Sequence, residues 1–368
     1  MSSSHLSTGR LTVRLGAIAA NYRQFQQRAA PAEIAGVVKA DAYGLGAAAV
    51  ARTLVDAGCH TFFVARVEEG VALRPVAPNA RIFVLDGAPA GTSRKLLEHC
   101  LIPVLNSLAE IESWSQIARN ERQTLDCAIQ IDTGMNRLGL PPDELSILSA
   151  NTRRRLFGFN VVLCMSHLAC ADDPSSSMNR IQLEKFKTAL AQLPPAPASL
   201  AASAGVLLGK DYVFDMPRVG IGLYGGNPRI FGPNLFAVAV VVTGRILQLR
   251  RVDRGESVGY GATFRAGRPS TLATVGLGYA DGLMRAIGNR GQGAIAEMRA
   301  PIAGRLSMDL LSLDVTDIPP HAVSVGTEVE FAGDTISLEE FAGWAGTANY
   351  EVLTSFGRRL PRHYEPAA

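Results

Sequence analysis

The sequence has no charge-free apolar run of about 20 residues, the length a membrane helix needs. Its opening, MSSSHLSTGRLTVRLGAIAA, holds no continuous apolar stretch of signal-peptide length. Neither insertion into a membrane nor export is expected, and the cytoplasm is the expected compartment. Cysteine is scarce: Cys59, Cys100, Cys127, Cys164 and Cys170 are odd in number, and none forms a C-x-x-C pair. This speaks against a disulfide framework or a cysteine metal site, so reduced core thiols and no metal are expected. An excess of one charge is also missing. Lys plus Arg number 36 and Asp plus Glu 33, a net charge of +3, which is too balanced for a nucleic-acid surface but leaves room for a small anionic ligand.

What is present is enough apolar material for a large core: 47% of 368 residues are hydrophobic. The length suits two domains, one of which can be an α/β barrel of about 200 to 250 residues. Short apolar or β-branched runs recur at 33–41, 61–66, 81–87, 101–106, 126–132, 161–169, 199–205 and 216–225. Segments with helical periodicity lie between them, such as GAAAVARTLVDAG (46–58), NSLAEIESWSQIAR (106–119) and NRIQLEKFKTALAQL (179–193). Eight strands that are apolar throughout, alternating with helices, predict a parallel (β/α)₈ barrel of the TIM type over residues 10–230. After Asn227 the pattern changes to valine-rich runs at 235–252, 270–280, 310–318 and 327–333 with no amphipathic helix between them. A mostly-β C-terminal domain is expected over 231–368, its boundary lying in GGNPRIFGPN (225–234).

Barrel chemistry gathers at the carboxyl ends of the strands. Lys39 closes the apolar run IAGVVK, where a lysine either snorkels to solvent or is paired or neutralised as a Schiff base. His167 ends the strand expected in VVLCMSHLA, which fits either a hydrogen-bonded core histidine or a site residue. Arg218, in MPRVGIGLYG, is more telling, because a permanent cation inside a barrel requires a partner. Gly220 and Gly222 after it allow close backbone approach where such barrels hold phosphate. Arg137, in the loop IDTGMNRLGL, is placed either to clamp a carboxylate or to sit exposed. Tyr260 stands between two glycines in VGYGATF, which favours an exposed hydroxyl over a packed ring. Packing is the default reading for Met308, in RLSMD.

Taken in order along the chain, VVKADAYGLG, IDTGMNRLG, MSHLA, MPRVGIGLYG, VGYGATF, GLGYADG and GRLSMD resemble the alanine racemases, fold-type III enzymes that use pyridoxal 5'-phosphate. The resemblance implies a barrel followed by a β domain that residues 1–9 join. It also implies a head-to-tail homodimer in which the second domain of one chain completes the other chain's site. It assigns Lys39 to hold the cofactor covalently and Tyr43, Ser203 and the backbone of Gly220 and Ile221 to bind its phosphate. Arg218, oriented by His167, would face the pyridine nitrogen. Arg137 and the main chain of Met308 would hold the substrate carboxylate, and Tyr279 would shape the entrance. Lys39 and Tyr260, the latter from the partner chain, would be the two bases that invert L- and D-alanine, supplying D-alanine for peptidoglycan precursors.

Two bases are needed because a single one mostly returns a proton to the face it came from. Lysine and phenol groups ordinarily titrate near about 10, so positive charge and desolvation must lower them. Four positions depart from the family pattern. Gln130 replaces a lysine that orients the substrate-binding arginine, Ala202 an asparagine, Ser307 a cysteine, and Arg358 stands where relatives contact phosphate through tyrosine. A serine or broad-specificity racemase is the near alternative. A decarboxylase on the same plan would set an acid, not Arg218, against the pyridine nitrogen. A non-enzymatic pyridoxal phosphate carrier would consist of the barrel alone.

Overall fold

The computed structural model describes residues 7–366. Eight short parallel strands, Ala35–Val37, Thr61–Val64, Arg81–Val84, Leu101–Leu105, Leu125–Gln130, Phe159–Met165, Ala198–Ser199 and Arg218–Val219, form one sheet in chain order. The eighth pairs with the first, Ala35 opposite Arg218 and Gly36 opposite Val219. The seventh and eighth meet only at the isolated bridge between Ala202 and Arg218, so the ring is nearly closed. Each strand is shorter than its apolar run, because the remainder of each run turns into the barrel mouth or into the packing beyond it.

The strands are apolar throughout because both faces are covered. Phe62, Phe63 and Phe83 are fully buried, and helices close the outer face with apolar stripes at helical spacing. Helix Leu15–Ala29 buries Ile18, Tyr22 and Phe25, and helix Leu108–Glu121 buries Ile111, Trp114 and Ala118. The second of these starts where Ser107 Oγ accepts the Glu110 N–H at 3.2 Å, a cap that contributes about 1 kcal/mol.

The second sheet is built around strand Val240–Val252, which pairs antiparallel with Gly9–Arg14, Ser270–Val275 and Glu328–Ala332. Strand Arg362–Glu365 lies parallel to Gly9–Arg14, so the first and last strands of the described residues meet in this sheet. The amino-terminal contribution thus runs on to Arg14, while residues 1–6 lie outside the described residues. Two helices also occur here, Leu338–Ala345 and Asn349–Ser355, where none was expected. They are too short for periodicity to show in a window of about 11 to 18 residues. The first is marked instead by a capping box: Ser337 Oγ accepts the Glu340 N–H at 3.1 Å and the Glu340 carboxylate accepts the Ser337 N–H at 3.2 Å.

Cys59, Cys127 and Cys164 are core thiols as expected, whereas Cys170 is half-buried and Cys100 is exposed. No helix among the described residues is long and apolar enough to cross a membrane.

Candidate active site

A parallel barrel points all its strand ends the same way, so residues at equal offsets beyond them converge. Lys39, Asp86 and His167 each stand two residues past the end of the first, third and sixth strands, and all three line a cavity of about 580 Å³ at the mouth. Gln130, Arg137, Ser203, Arg218, Gly220, Ile221 and Tyr43 line the same cavity.

Beyond Lys39 the chain makes a left-handed turn. Ala40, Asp41, Ala42 and Tyr43 have φ between 52° and 57°, and Gly44 follows at 84°. Left-handed backbone costs about 1 to 2 kcal/mol per non-glycine residue, so the surroundings must hold it. The Glu69 carboxylate accepts the N–H groups of Ala40 and Ala65, both at 2.7 Å, and Asp41 accepts the Ala47 N–H at 2.7 Å. Arg362 donates to the Gly44 carbonyl at 2.9 Å. The turn therefore sends both Lys39 and Tyr43 into one cavity. Burial, then the nearby Arg137 cation, holds the Lys39 ammonium below its ordinary pKa, with Glu69 and Asp86 opposing.

Arg218 is 4% exposed and has no acid against it. Its guanidinium donates to the Ser199 carbonyl at 3.1 Å, the Ser199 hydroxyl at 2.5 Å, the Ser166 carbonyl at 2.8 Å and His167 Nδ1 at 3.1 Å. Burial lowers its pKa to about 10, which leaves it charged at neutral pH. Because a guanidinium only donates, His167 Nδ1 must offer a lone pair, and the imidazole proton belongs on Nε2. Burial, reinforced by Arg218, pushes the His167 pKa down to about 3, so this ring stays neutral.

Opposite lies a cluster of small groups. Ser203 Oγ accepts the N–H of Gly220 at 2.9 Å and of Gly222 at 3.4 Å. A Cβ on Gly220 would stand 2.4 Å from the Tyr43 hydroxyl, so only glycine lets backbone and phenol approach this closely. The Ile221 N–H has no acceptor among the described residues.

Arg137 sits exposed on a loop fixed from within. Asp132 Oδ1 accepts the N–H groups of Gly134, Met135 and Asn136 at 2.8, 3.0 and 3.1 Å. Gln130 Nε2 donates to the Leu138 carbonyl at 3.1 Å. The neutral amide therefore holds the backbone next to Arg137, not the guanidinium itself.

Three residues singled out in the sequence stand outside this cavity. Tyr260, Met308 and Tyr279 are 70%, 53% and 42% exposed. Tyr260 is displayed between Gly259 and Gly261, at φ 70° and 73°. The Met308 carbonyl accepts the Ala280 N–H at 3.0 Å, while its own N–H has no acceptor among the described residues. Arg359 bridges Asp281 at 3.1 Å and Asp309 at 2.7 Å, tying together the turns that carry Tyr279 and Met308.

Four polar lining residues were missed. Tyr350, Glu351 and Thr354 come from helix Asn349–Ser355, and the Tyr350 ring lies 6.1 Å from that of Tyr43. Arg358 is not among the lining groups, so Tyr350 is the tyrosine this segment brings to the cavity. Asp86 was legible, since it follows the apolar stretch of RIFVLDG just as Lys39 closes IAGVVK.

The family model "Alanine racemase, N-terminal domain" matches residues 13–228, and "Alanine racemase, C-terminal domain" matches residues 239–364. The chain is 46% identical to the alanine racemase of Rhodospirillum rubrum, covering 97% of this chain and 96% of that protein. It is 45% identical to the catabolic alanine racemase of Agrobacterium fabrum, covering 97% and 92%. Among solved structures, the alanine racemase of Bartonella henselae with covalently bound pyridoxal phosphate superposes with a TM-score of 0.94 at 41% identity, covering 98% of this chain and 100% of that one. Both domains, in the same order and over nearly the full length, point the same way: this chain belongs to the alanine racemase family.

Proposed function

We propose that the chain interconverts L- and D-alanine with pyridoxal phosphate as cofactor, yielding D-alanine for cell-wall precursors. In this reading the barrel, which lies within residues 10–230 beyond strand Gly9–Arg14, binds the cofactor, and the β-rich part of the chain completes the site of a second copy. The observation that carries the reading is the buried Arg218, a charged guanidinium satisfied only by neutral acceptors, with Lys39 in the same cavity.

The residues fit the cofactor. Lys39 offers an amine of lowered pKa for covalent attachment. The hydroxyls of Tyr43 and Ser203, with the backbone at Gly220 and Ile221, offer a small anion cradle that a Cβ at Gly220 would fill. Arg218 suits the pyridine nitrogen because a fixed cation there disfavours its protonation. When bound, pyridoxal phosphate supplies an electron sink that makes the α-hydrogen of an amino acid removable.

The chain's own residues do the rest. Arg137 and the free Met308 N–H grip the substrate carboxylate, Met308 from the second copy. Lys39 takes or returns a proton at one face of the α-carbon, and Tyr260, also from the second copy, does so at the other. His167, kept neutral, positions Arg218 without adding a charge.

Racemisation in heavy water is expected to turn L-alanine into D-alanine carrying deuterium at the α-carbon, read by mass spectrometry. Unlabelled D-alanine would remove solvent-exchanging bases from the mechanism. Gln130→Leu is expected to raise the KM for alanine about fivefold with a smaller change in kcat, since a lost hydrogen bond of about 1 kcal/mol loosens the Arg137 loop. An unaltered KM would mean that the Asp132 bonds suffice.

A further inference from the structure

We propose that Asp86 is a positioning residue for the proton chemistry of Lys39: its carboxylate, at the mouth of the same cavity, is a counter-charge that helps the lysine hold a proton beside two arginines. The inference rests on Lys39 being the base, as proposed above.

The placement is built into the barrel. Asp86 occupies the same offset past the third strand that Lys39 occupies past the first, and both side chains line the cavity. The carboxylate has no ion-pair or hydrogen-bond partner among the described residues, although an acid on a cavity wall with two arginines could pair readily. Its backbone N–H is spent on the Ala65 carbonyl at 2.9 Å, which anchors the strand end. The next residue fixes the direction. Gly87 is left-handed at φ 76°, and a Cβ there would stand 2.6 Å from the Glu110 carboxylate, so the turn after Asp86 favours glycine. Glu110 itself is engaged with the Asn106 N–H at 2.7 Å.

The groups that act on Lys39 fall into two sets. Arg137 and Arg218 disfavour its proton, as burial does, and the neutral His167 adds no charge. Glu69 and Asp86 favour it, Glu69 the more strongly; the Glu69 carboxylate keeps its charge while it also accepts the N–H groups of Ala40, Ala65 and Arg66, which fix it to the backbone. Of the cavity's two lining acids, Glu351 accepts from Thr347 and Asp86 bonds no side chain among the described residues, which leaves Asp86 the acid free to respond to Lys39. Lys39 must accept a proton in one direction of racemisation and surrender it in the other, so its affinity for that proton must stay near the working pH.

The sign of the test follows. Replacing the carboxylate by a neutral amide removes a charge that favours protonated Lys39, so the lysine loses its proton at lower pH. For the purified holoenzyme, Asp86→Asn is expected to shift the acid limb of the kcat profile with D-alanine downward by roughly half a pH unit, the order expected of one solvent-facing charge on the wall of the same cavity. The visible absorption of the bound cofactor, titrated without substrate, should change at a correspondingly lower pH. Asp86→Glu should restore both midpoints, whereas a purely structural role would lower the rate without moving them. Unmoved midpoints in Asp86→Asn, with Lys39→Ala inactive, would overturn the role of Asp86 alone. An active Lys39→Ala would overturn the underlying assignment instead.

Discussion

Lys39→Ala is expected to lower kcat by more than roughly 10⁴-fold in both directions and to leave no covalent bond between protein and cofactor, read by steady-state rates and by the mass of the protein after borohydride reduction, which in the parent fixes the cofactor as a stable amine. General acid–base groups contribute about 10²- to 10⁴-fold, and this residue is also the proposed covalent anchor, so two losses combine. The fold should survive. The Lys39 ammonium makes no hydrogen bond or ion pair among the described residues, and burial already disfavours its charge. The left-handed turn beyond it is held by Glu69, Asp41 and Arg362, none of which the substitution touches. A variant with an unchanged melting temperature and no turnover would place Lys39 in the chemistry. Parental turnover would exclude it.

The barrel was legible because its signal is local. Runs such as TFFVAR and RIFVLDG are apolar at every position, as only a strand covered on both faces requires, and each proved to contain a strand. Lys39, His167 and Arg218 were legible for a related reason: the first two are polar groups at the ends of such runs, and Arg218 is a charge inside one. What stayed hidden depends on contacts between distant parts of the chain. Helix Asn349–Ser355 carries no long periodic stripe, and nothing near Tyr350 or Thr354 announces that it packs over a cavity made more than a hundred residues earlier. The left-handed conformation of four successive residues after Lys39 was equally hidden, because alanine and aspartate accept it only where Glu69 and Arg362 hold the backbone. The role of Gln130 needed geometry too. Its type showed that it could not act as a lysine would, but only the fold shows it bonded to the Leu138 carbonyl.

Tyr260→Phe is expected to cut turnover by about 10²- to 10⁴-fold, and mixing it with Lys39→Ala tests where the phenol acts. In its own chain Tyr260 is 70% exposed and does not line the cavity, which a catalytic phenol can reconcile only by reaching another copy's site. Suppose the two inactive variants are unfolded together and refolded in equal amounts. If each site combines Lys39 of one chain with Tyr260 of the other, every hybrid dimer holds one site with both residues intact and one with neither. Random pairing makes about half the dimers hybrids with one of two sites working, so about one quarter of parental activity should return. If Tyr260 instead served its own chain, each chain would carry exactly one defect in whatever dimer it joined, and mixing would restore nothing. The experiment therefore decides between a shared and a private site through a gain of activity, which damage to folding cannot imitate.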